Sequence, residues 1–255
     1  MFINNFDPVA FQIFSLEIRW YSLAYIFGII FGWIYCKNKL IKDEKLFNLF
    51  NDFLTYVIVA IIIGGRLGYV LIYNFKYYLE NFLEIFMIWN GGMSFHGAVM
   101  GIFVASFIFS KKNKIDPFYF LDKISLVAPI GIFLGRLANF INSELYGKET
   151  DIFWSVKFIL VDNLSRHPSQ IYEAIFEGLI LFIILNFLIS RDGKKDGYIS
   201  SLFLIFYSIF RFLIEFTREP DAHIGLLIFN LSMGQLMSVF VLFAGIFLWK
   251  FKKNV

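Results

Sequence analysis

The sequence predicts an all-α polytopic membrane protein of seven transmembrane helices. Three observations carry that prediction: an apolar composition, recurring apolar runs of bilayer length, and basic residues gathered in every second loop. Of 255 residues, 58% are hydrophobic, 21% aromatic and only 17% charged, and the mean hydropathy is +0.68. Soluble domains carry about 25% charged residues, so the apolar excess is too large for a globular core. Cys36 is the single cysteine, which excludes an intrachain disulfide. A net charge of +3 is too small for a nucleic-acid binder.

A helix crossing the hydrocarbon needs about 20 apolar residues. Seven runs meet this requirement, at 20–36, 53–75, 91–110, 124–141, 171–190, 198–216 and 232–249. The first follows MFINNFDP, which has no basic residue, and no small-residue cleavage pattern comes after it, so it is expected to be a retained span. Lysines and arginines cluster after spans one, three and five and in the C-terminal tail. The positive-inside rule therefore predicts an N-terminus outside and a cytoplasmic C-terminus.

Between spans two and three, FKYYLENFLEIFMIW puts Tyr78, Leu79, Phe82, Leu83 and Phe86 on one helical face, as expected of an interfacial helix. Residues 142–170 form the one outer loop long enough for a small extracytoplasmic head, inserted in what is otherwise a single membrane domain over 1–255. Its IFWSVKFILV alternates in part like a strand, and Pro168 suits the first turn of span five. Span seven opens with SMGQ, where Ser232 and Gln235 have capping-box spacing.

The informative residues are charges inside the spans: Arg66, His96, Arg136, Glu177, Arg211 and Glu215. Each costs about 2.5–3.5 kcal/mol near the bilayer centre, so together they need partners or water. Under the predicted topology they all fall in the outer half of the membrane, along with Tyr21 and Gln235. One polar cavity open to the outside is expected. Arg66 with Glu177 reads as a structural ion pair. Three arginines against two glutamates leave a positive remainder, which suits an anionic ligand such as a phosphate. Gly91, Gly92, Gly97 and Gly101 around His96 permit close approach of backbone or ligand. Three histidines, His96, His167 and His223, and one cysteine make no metal-ligand cluster. Voltage sensing would need arginines repeated along one helix, and the short echo of IGGRLGYV in FLGRLANF is too brief to argue for a transporter repeat.

The motifs match a family. GRLANFINSELYG (135–147) is similar to the signature stretch of the prolipoprotein diacylglyceryl transferases, bacterial membrane enzymes that lipidate lipoprotein precursors. WYSLAY, GGMSFHGAVMG, RHPSQIYEA and YSIFRFLIEFTREPD followed by SMGQ resemble further family motifs, in the family's order from end to end. Two single-methyl departures stand out, Ala98 and Ala138, where the family usually has glycine.

The resemblance implies transfer of the diacylglyceryl group of phosphatidylglycerol to the lipobox cysteine thiol of a prolipoprotein, at the outer face of the plasma membrane. A thioether forms, glycerol phosphate leaves and no cofactor takes part. It also implies site roles. Arg136 binds the phosphate, Asn139 and Glu144 shape the headgroup pocket, and Gly147 permits the turn. Arg211, held by Glu215, stabilises the leaving phosphate. His96 is the general base, with an arginine-assisted thiolate as the alternative. Tyr21 and Tyr207 hydrogen-bond the lipid or orient an arginine. Two rival readings stay open at this point: another phospholipid-handling enzyme, and a lipid or anion transporter.

Overall fold

A computed structural model describes residues 2–72, 74–88, 91–189, 195–220, 225 and 227–254. The side chain of His96 and all of His223 lie outside the described residues. The chain is mostly helical and forms two compact units, Met1–Leu40 with Asp122–Val255, and Ile41–Leu121. Among the described residues, five helices are long and apolar enough to cross a bilayer.

In the first unit, α1 (Trp20–Tyr35) continues as a π-helical turn over Cys36–Leu40. It is followed by α5 (Pro117–Ile141), α8 (Tyr198–Ile214) with a 3-10 turn at Glu215–Thr217, and α9 (Met233–Asn254). Between α5 and α8, α6 (Ser169–Glu173) runs through a π-helical segment, Ala174–Ile180, into α7 (Leu181–Ile189). Leu126, Leu181, Leu185 and Ile199 make its buried apolar core. Small residues set the closest approaches. A Cβ at Gly28 would lie 2.9 Å from the Gly131 Cα, and one at Gly178 would lie 2.7 Å from the Phe133 Cβ.

Sequence reading begins span four at Ile124, yet α5 starts seven residues earlier and carries buried Asp122. This carboxylate accepts hydrogen bonds from Gly197 N (2.9 Å), Ser200 N (2.8 Å) and Ser200 Oγ (2.6 Å). It thus caps the N-terminus of α8 from a neighbouring helix, meeting donors that α8 leaves without intrahelical acceptors.

The head contains strands as well as loops. β4 (Val156–Phe158) pairs in parallel with β1 (Phe2–Asn4) and antiparallel with β5 (Ser165–Arg166). β2 (Val9–Ile13) and β3 (Leu16–Arg19) form a hairpin ahead of α1. The N-terminal strands escape sequence reading because β1 is three residues long and its partner lies far along the chain. Of the alternating IFWSVKFILV run, only Val156–Phe158 is extended.

In the second unit, α2 (Glu44–Ile72) crosses α4 (Phe95–Asn113) through a glycine contact. A Cβ on Gly64 would meet the Gly97 carbonyl oxygen and come within 3.1 Å of the Gly101 Cα, so no larger residue fits. Phe53 packs against Phe109 and Phe120 with ring centroids 5.3 and 5.4 Å apart. The predicted interfacial helix is broken. α3 (Phe75–Glu80) ends at Asn81, and a 3-10 turn follows over Phe82–Phe86. Leu79, Phe82, Leu83 and Phe86 are exposed, as an interfacial face requires, but Tyr78 is buried with its ring 5.1 Å from the Arg66 guanidinium. Arg66 is buried and donates to the carbonyls of Glu84 (2.5 Å), Ile85 (2.9 Å), Met87 (3.3 Å), Gly91 (2.5 Å) and Gly92 (3.3 Å).

Replacing Asp122 by Ala leaves the α8 terminus with buried unmatched donors and should cost about 1–3 kcal/mol. Thermal unfolding in detergent checks this: a melting temperature equal to that of the parent protein would show that the cap contributes nothing.

Candidate active site

The first unit gathers buried charges from three elements. Glu173, the last residue of α6, and Glu177, in the π-helical segment one turn later, are both fully buried. Arg136 reaches across from α5, with Nε 3.1 Å from Glu173 Oε2 and one terminal nitrogen, Nη2, 3.3 Å from Glu177 Oε2. Arg211 comes from α8 and pairs with Glu173, with Glu177 at 3.8 Å and, one turn along its own helix, with Glu215 at 2.6 Å. Arg218 adds a contact of 3.5 Å to Glu173 Oε1. The π-helical segment widens the helix where the two carboxylates must share arginines, a placement typical of functional sites. Tyr207 stands near enough to Arg136 and Arg211 to interact electrostatically with both. Tyr21 is half-buried on the first turn of α1, its hydroxyl 3.1 Å from that of Tyr25.

Glu215 is held from its far side as well. Ser232 Oγ donates to its Oε1 at 3.0 Å. A Cβ on Gly234 would lie 2.6 Å from the same oxygen, so only glycine admits the carboxylate here. The capping box is formed in full: Gln235 N donates to Ser232 Oγ (3.2 Å), and Ser232 N donates to Gln235 Oε1 (3.0 Å).

Above the charges lies a polar rim. Asn139, one turn beyond Arg136 on α5, is buried and donates to Glu144 Oε2 at 3.1 Å. Gln170, one turn before Glu173, donates to the Glu144 carbonyl at 2.6 Å. The turn linking α5 to the head takes its left-handed residues from Ser143 (φ 57°) and Leu145 (φ 56°). Gly147 therefore does not serve the turn, as sequence reading expects, but close packing. Its N–H donates to His167 O at 3.0 Å, and a Cβ would meet that oxygen and lie 2.8 Å from Thr217 O. Ala138 is buried within α5.

The predicted constellation is therefore corrected in three respects. Glu177 pairs with Arg136 and Arg211, whereas Arg66 is taken up by backbone carbonyls within the second unit. The positive remainder vanishes, since three arginines (Arg136, Arg211, Arg218) meet three glutamates (Glu173, Glu177, Glu215). Glu173 and Arg218 join the network unannounced. Glu173 was recoverable, because it falls inside predicted span five and four residues from Glu177, hence on the same helical face.

In the head, Arg166 is buried and binds Asp162 at 2.6 Å, Gly147 O at 3.1 Å and Glu219 at 3.3 Å, with its guanidinium 4.7 Å over the Tyr146 ring. The hydrogen bond from Arg166 holds the Asp162 carboxyl below the usual aspartate range. Burial, and then Lys148, push the His167 imidazole below its ordinary value. Among the described residues no cluster could hold a metal ion.

Two outcomes follow. Glu173→Ala leaves three arginines around an emptied position and should cost about 3–5 kcal/mol, read as a lower melting temperature, with Glu173→Gln losing less. The depressed Asp162 value means that its contribution is fully present above about pH 4, the ordinary aspartate range, and is lost as pH falls through the depressed value. Amide protection across β4 and β5, taken relative to the intrinsic exchange rate at each pH, should thus fall in acid, and Asp162→Asn should flatten that dependence; identical acid profiles for both proteins would remove the assignment.

The model of the prolipoprotein diacylglyceryl transferase family matches residues 8–251. Relatives named phosphatidylglycerol–prolipoprotein diacylglyceryl transferase are similar along nearly the whole chain. That of Rickettsia typhi is 48% identical over 253 residues, covering 97% of both chains. That of Ehrlichia canis is 47% identical, covering 97% of this chain and 96% of its own, and one from Rickettsia bellii is 46% identical with the same coverage. With this match lying over the arginine–glutamate network and its polar rim, the chain belongs to the prolipoprotein diacylglyceryl transferase family.

Proposed function

We propose that the protein transfers the diacylglyceryl group of phosphatidylglycerol to the cysteine thiol of a prolipoprotein, as its relatives' names state for them. This is the first step of lipoprotein maturation. The observation that carries the reading is the state of Arg136. Two buried carboxylates hold its Nε and Nη2, while Nη1 has no carboxylate partner among the described residues and the side chain keeps 18% exposure. A guanidinium aligned on one edge and open on another is prepared to take a phosphate oxygen without reorganising. Charge balance within the network also means that the phosphate is bound by aimed donors and not by a loose positive excess.

The thiolate sulfur attacks the glyceryl carbon that carries the phosphate. A C–S bond forms, the C–O bond breaks, and glycerol phosphate departs with the electron pair. Arg136 and Arg211 offset the charge gathering on the departing phosphate, and Glu215 with Ser232 keeps Arg211 in place. Tyr21 and Tyr207 bind the lipid or orient an arginine, and Asn139 and Glu144 shape the headgroup pocket, with Gly147 packing the head against its base. His96, in the first turn of α4, is the proposed general base for the thiol.

We further propose seven spans. α1 with its π-helical extension to Leu40, and the 19-residue α4, would join the five helices of crossing length. The basic residues favour an N-terminus outside and a C-terminus in the cytoplasm, in the bacterial plasma membrane, with the site on the extracytoplasmic side.

The test uses purified protein with phosphatidylglycerol and a lipobox peptide, beside the same peptide with serine for cysteine. A diacylglyceryl mass increase on the cysteine peptide alone is expected. Arg136→Ala should abolish it while membrane insertion persists, and near-normal turnover by an inserted variant would overturn the role of Arg136.

A further inference from the structure

At one end of the second unit, α2 and α4 line a polar groove that the transfer reaction does not use. Its volume is about 290 Å³, room for a group much larger than a single water. The walls are two triplets at helical spacing: Asp52, Thr55 and Tyr56 on α2, and Phe109, Lys112 and Asn113 on α4. Buried Phe109 is the apolar floor, its ring 5.2 Å from that of Tyr56 and 5.3 Å from that of Phe53. Asp52 immediately precedes the apolar run that opens at Phe53, and Lys112 follows the run that closes at Ser110. The groove therefore sits at headgroup depth, at the end of both helices that carries the basic loops.

The hydrogen bonds already made decide what each wall has left to offer. Lys112 Nζ donates to the Tyr56 hydroxyl at 3.1 Å, so the tyrosine proton stays available and the ammonium keeps two N–H groups. Thr55 Oγ1 donates to the Asn51 carbonyl at 3.1 Å, which leaves that oxygen as an acceptor only. Asn113 Nδ2 donates to the Phe109 carbonyl at 3.0 Å, which turns Oδ1 away as a second acceptor. The Asp52 carboxylate is a third. It lines the same groove as Lys112 but is not paired with it, nor with any other described residue.

We infer that this groove binds a phospholipid headgroup that joins a primary ammonium to a phosphate, as ethanolamine lipids do, from the cytoplasmic leaflet; the choice of leaflet rests on the topology proposed above. A primary ammonium has three hydrogens to donate, and the groove offers three acceptors, one of them charged. The attached phosphate can only accept, and Lys112 with Tyr56 supplies donors. An anion alone would leave Thr55 and Asn113 unmatched and would be repelled by Asp52. A glycerol headgroup brings no cation for the carboxylate, and a quaternary ammonium brings the charge without a hydrogen. None of the six lining residues belongs to the Arg136–Glu173–Arg211 network, so this lipid is not the transfer substrate. Bound there, it would bridge α2 and α4 about 18 Å along α2 from the glycine crossing at Gly64, bracing the end of the pair that the crossing does not reach.

The experiment measures labelled phosphatidylethanolamine bound to the full-length protein in detergent, with saturating phosphatidylglycerol present to occupy the transfer site. Unlabelled phosphatidylethanolamine, phosphatidylcholine and free phosphoethanolamine serve as competitors. Phosphatidylethanolamine should displace the label at a concentration about tenfold lower than phosphatidylcholine, which has the same phosphate and positive charge but no N–H. Asp52→Asn and Thr55→Val should each cut that ratio at least about threefold, whereas Lys112→Gln should weaken both lipids alike, since both present a phosphate. Asp52, Thr55 and Lys112 are exposed, so these variants keep the fold. Equal competition by the two lipids, or an unchanged ratio in both Asp52→Asn and Thr55→Val, overturns the site. Displacement by free phosphoethanolamine at the same concentration as by the lipid overturns the assignment to a membrane lipid.

Discussion

Removing a carboxylate from water without a partner costs several kcal/mol, and this constraint organises the first unit. Glu173 and Glu177 have no solvent exposure, so each must be met by arginines delivered from other helices. Because those arginines sit on α5 and α8 and just past the end of α8, satisfying the two glutamates also fixes how these helices face α6 and its π-helical continuation. Glu215 passes the requirement on to α9 through Ser232 and the side-chain-free surface of Gly234. Packing and chemistry are thus the same set of contacts here. A site of this kind cannot be softened without loosening the helices that build it.

The rim continues the same logic with neutral groups. Moving one turn from Arg136 to Asn139, or from Glu173 to Gln170, exchanges ions for buried amides. The head then closes over this layer with three backbones drawn together at Gly147, where His167 and Thr217 leave no space for a side chain. Arg166 holds the same point from behind by donating to the Gly147 carbonyl.

What was legible in the sequence follows from the range of each signal. Apolar run length and the SMGQ capping box are local signals: the capping box is formed, and among the described residues five of the seven runs are helices of crossing length, though α2 begins at Glu44 and α5 at Pro117, ahead of the runs that announce them. Arg136, Arg211 and Glu215 stand out because lipid excludes lone charges, and they do share one network. Pairing is a different matter, because composition shows which charges need partners and not which partners they take. Arg66 illustrates this: its partners are carbonyls, which every residue has and no pattern betrays. Strand β1 was hidden for a related reason, its hydrogen bonds going to a segment more than a hundred residues away. The break at Asn81 was masked by a face that looked continuous at helical spacing.

The manner in which Arg66 is bound has a consequence for how this protein can diverge. A guanidinium that grips main-chain oxygens is indifferent to the side chains attached to them. Glu84, Ile85 and Met87 can therefore drift in identity, whereas Gly91 and Gly92, both at positive φ and Gly92 pressed against the Tyr69 ring, are held as glycine. Tolerance at those three positions and intolerance at position 66 are two aspects of one contact, and variation among descendants of this chain should be distributed accordingly.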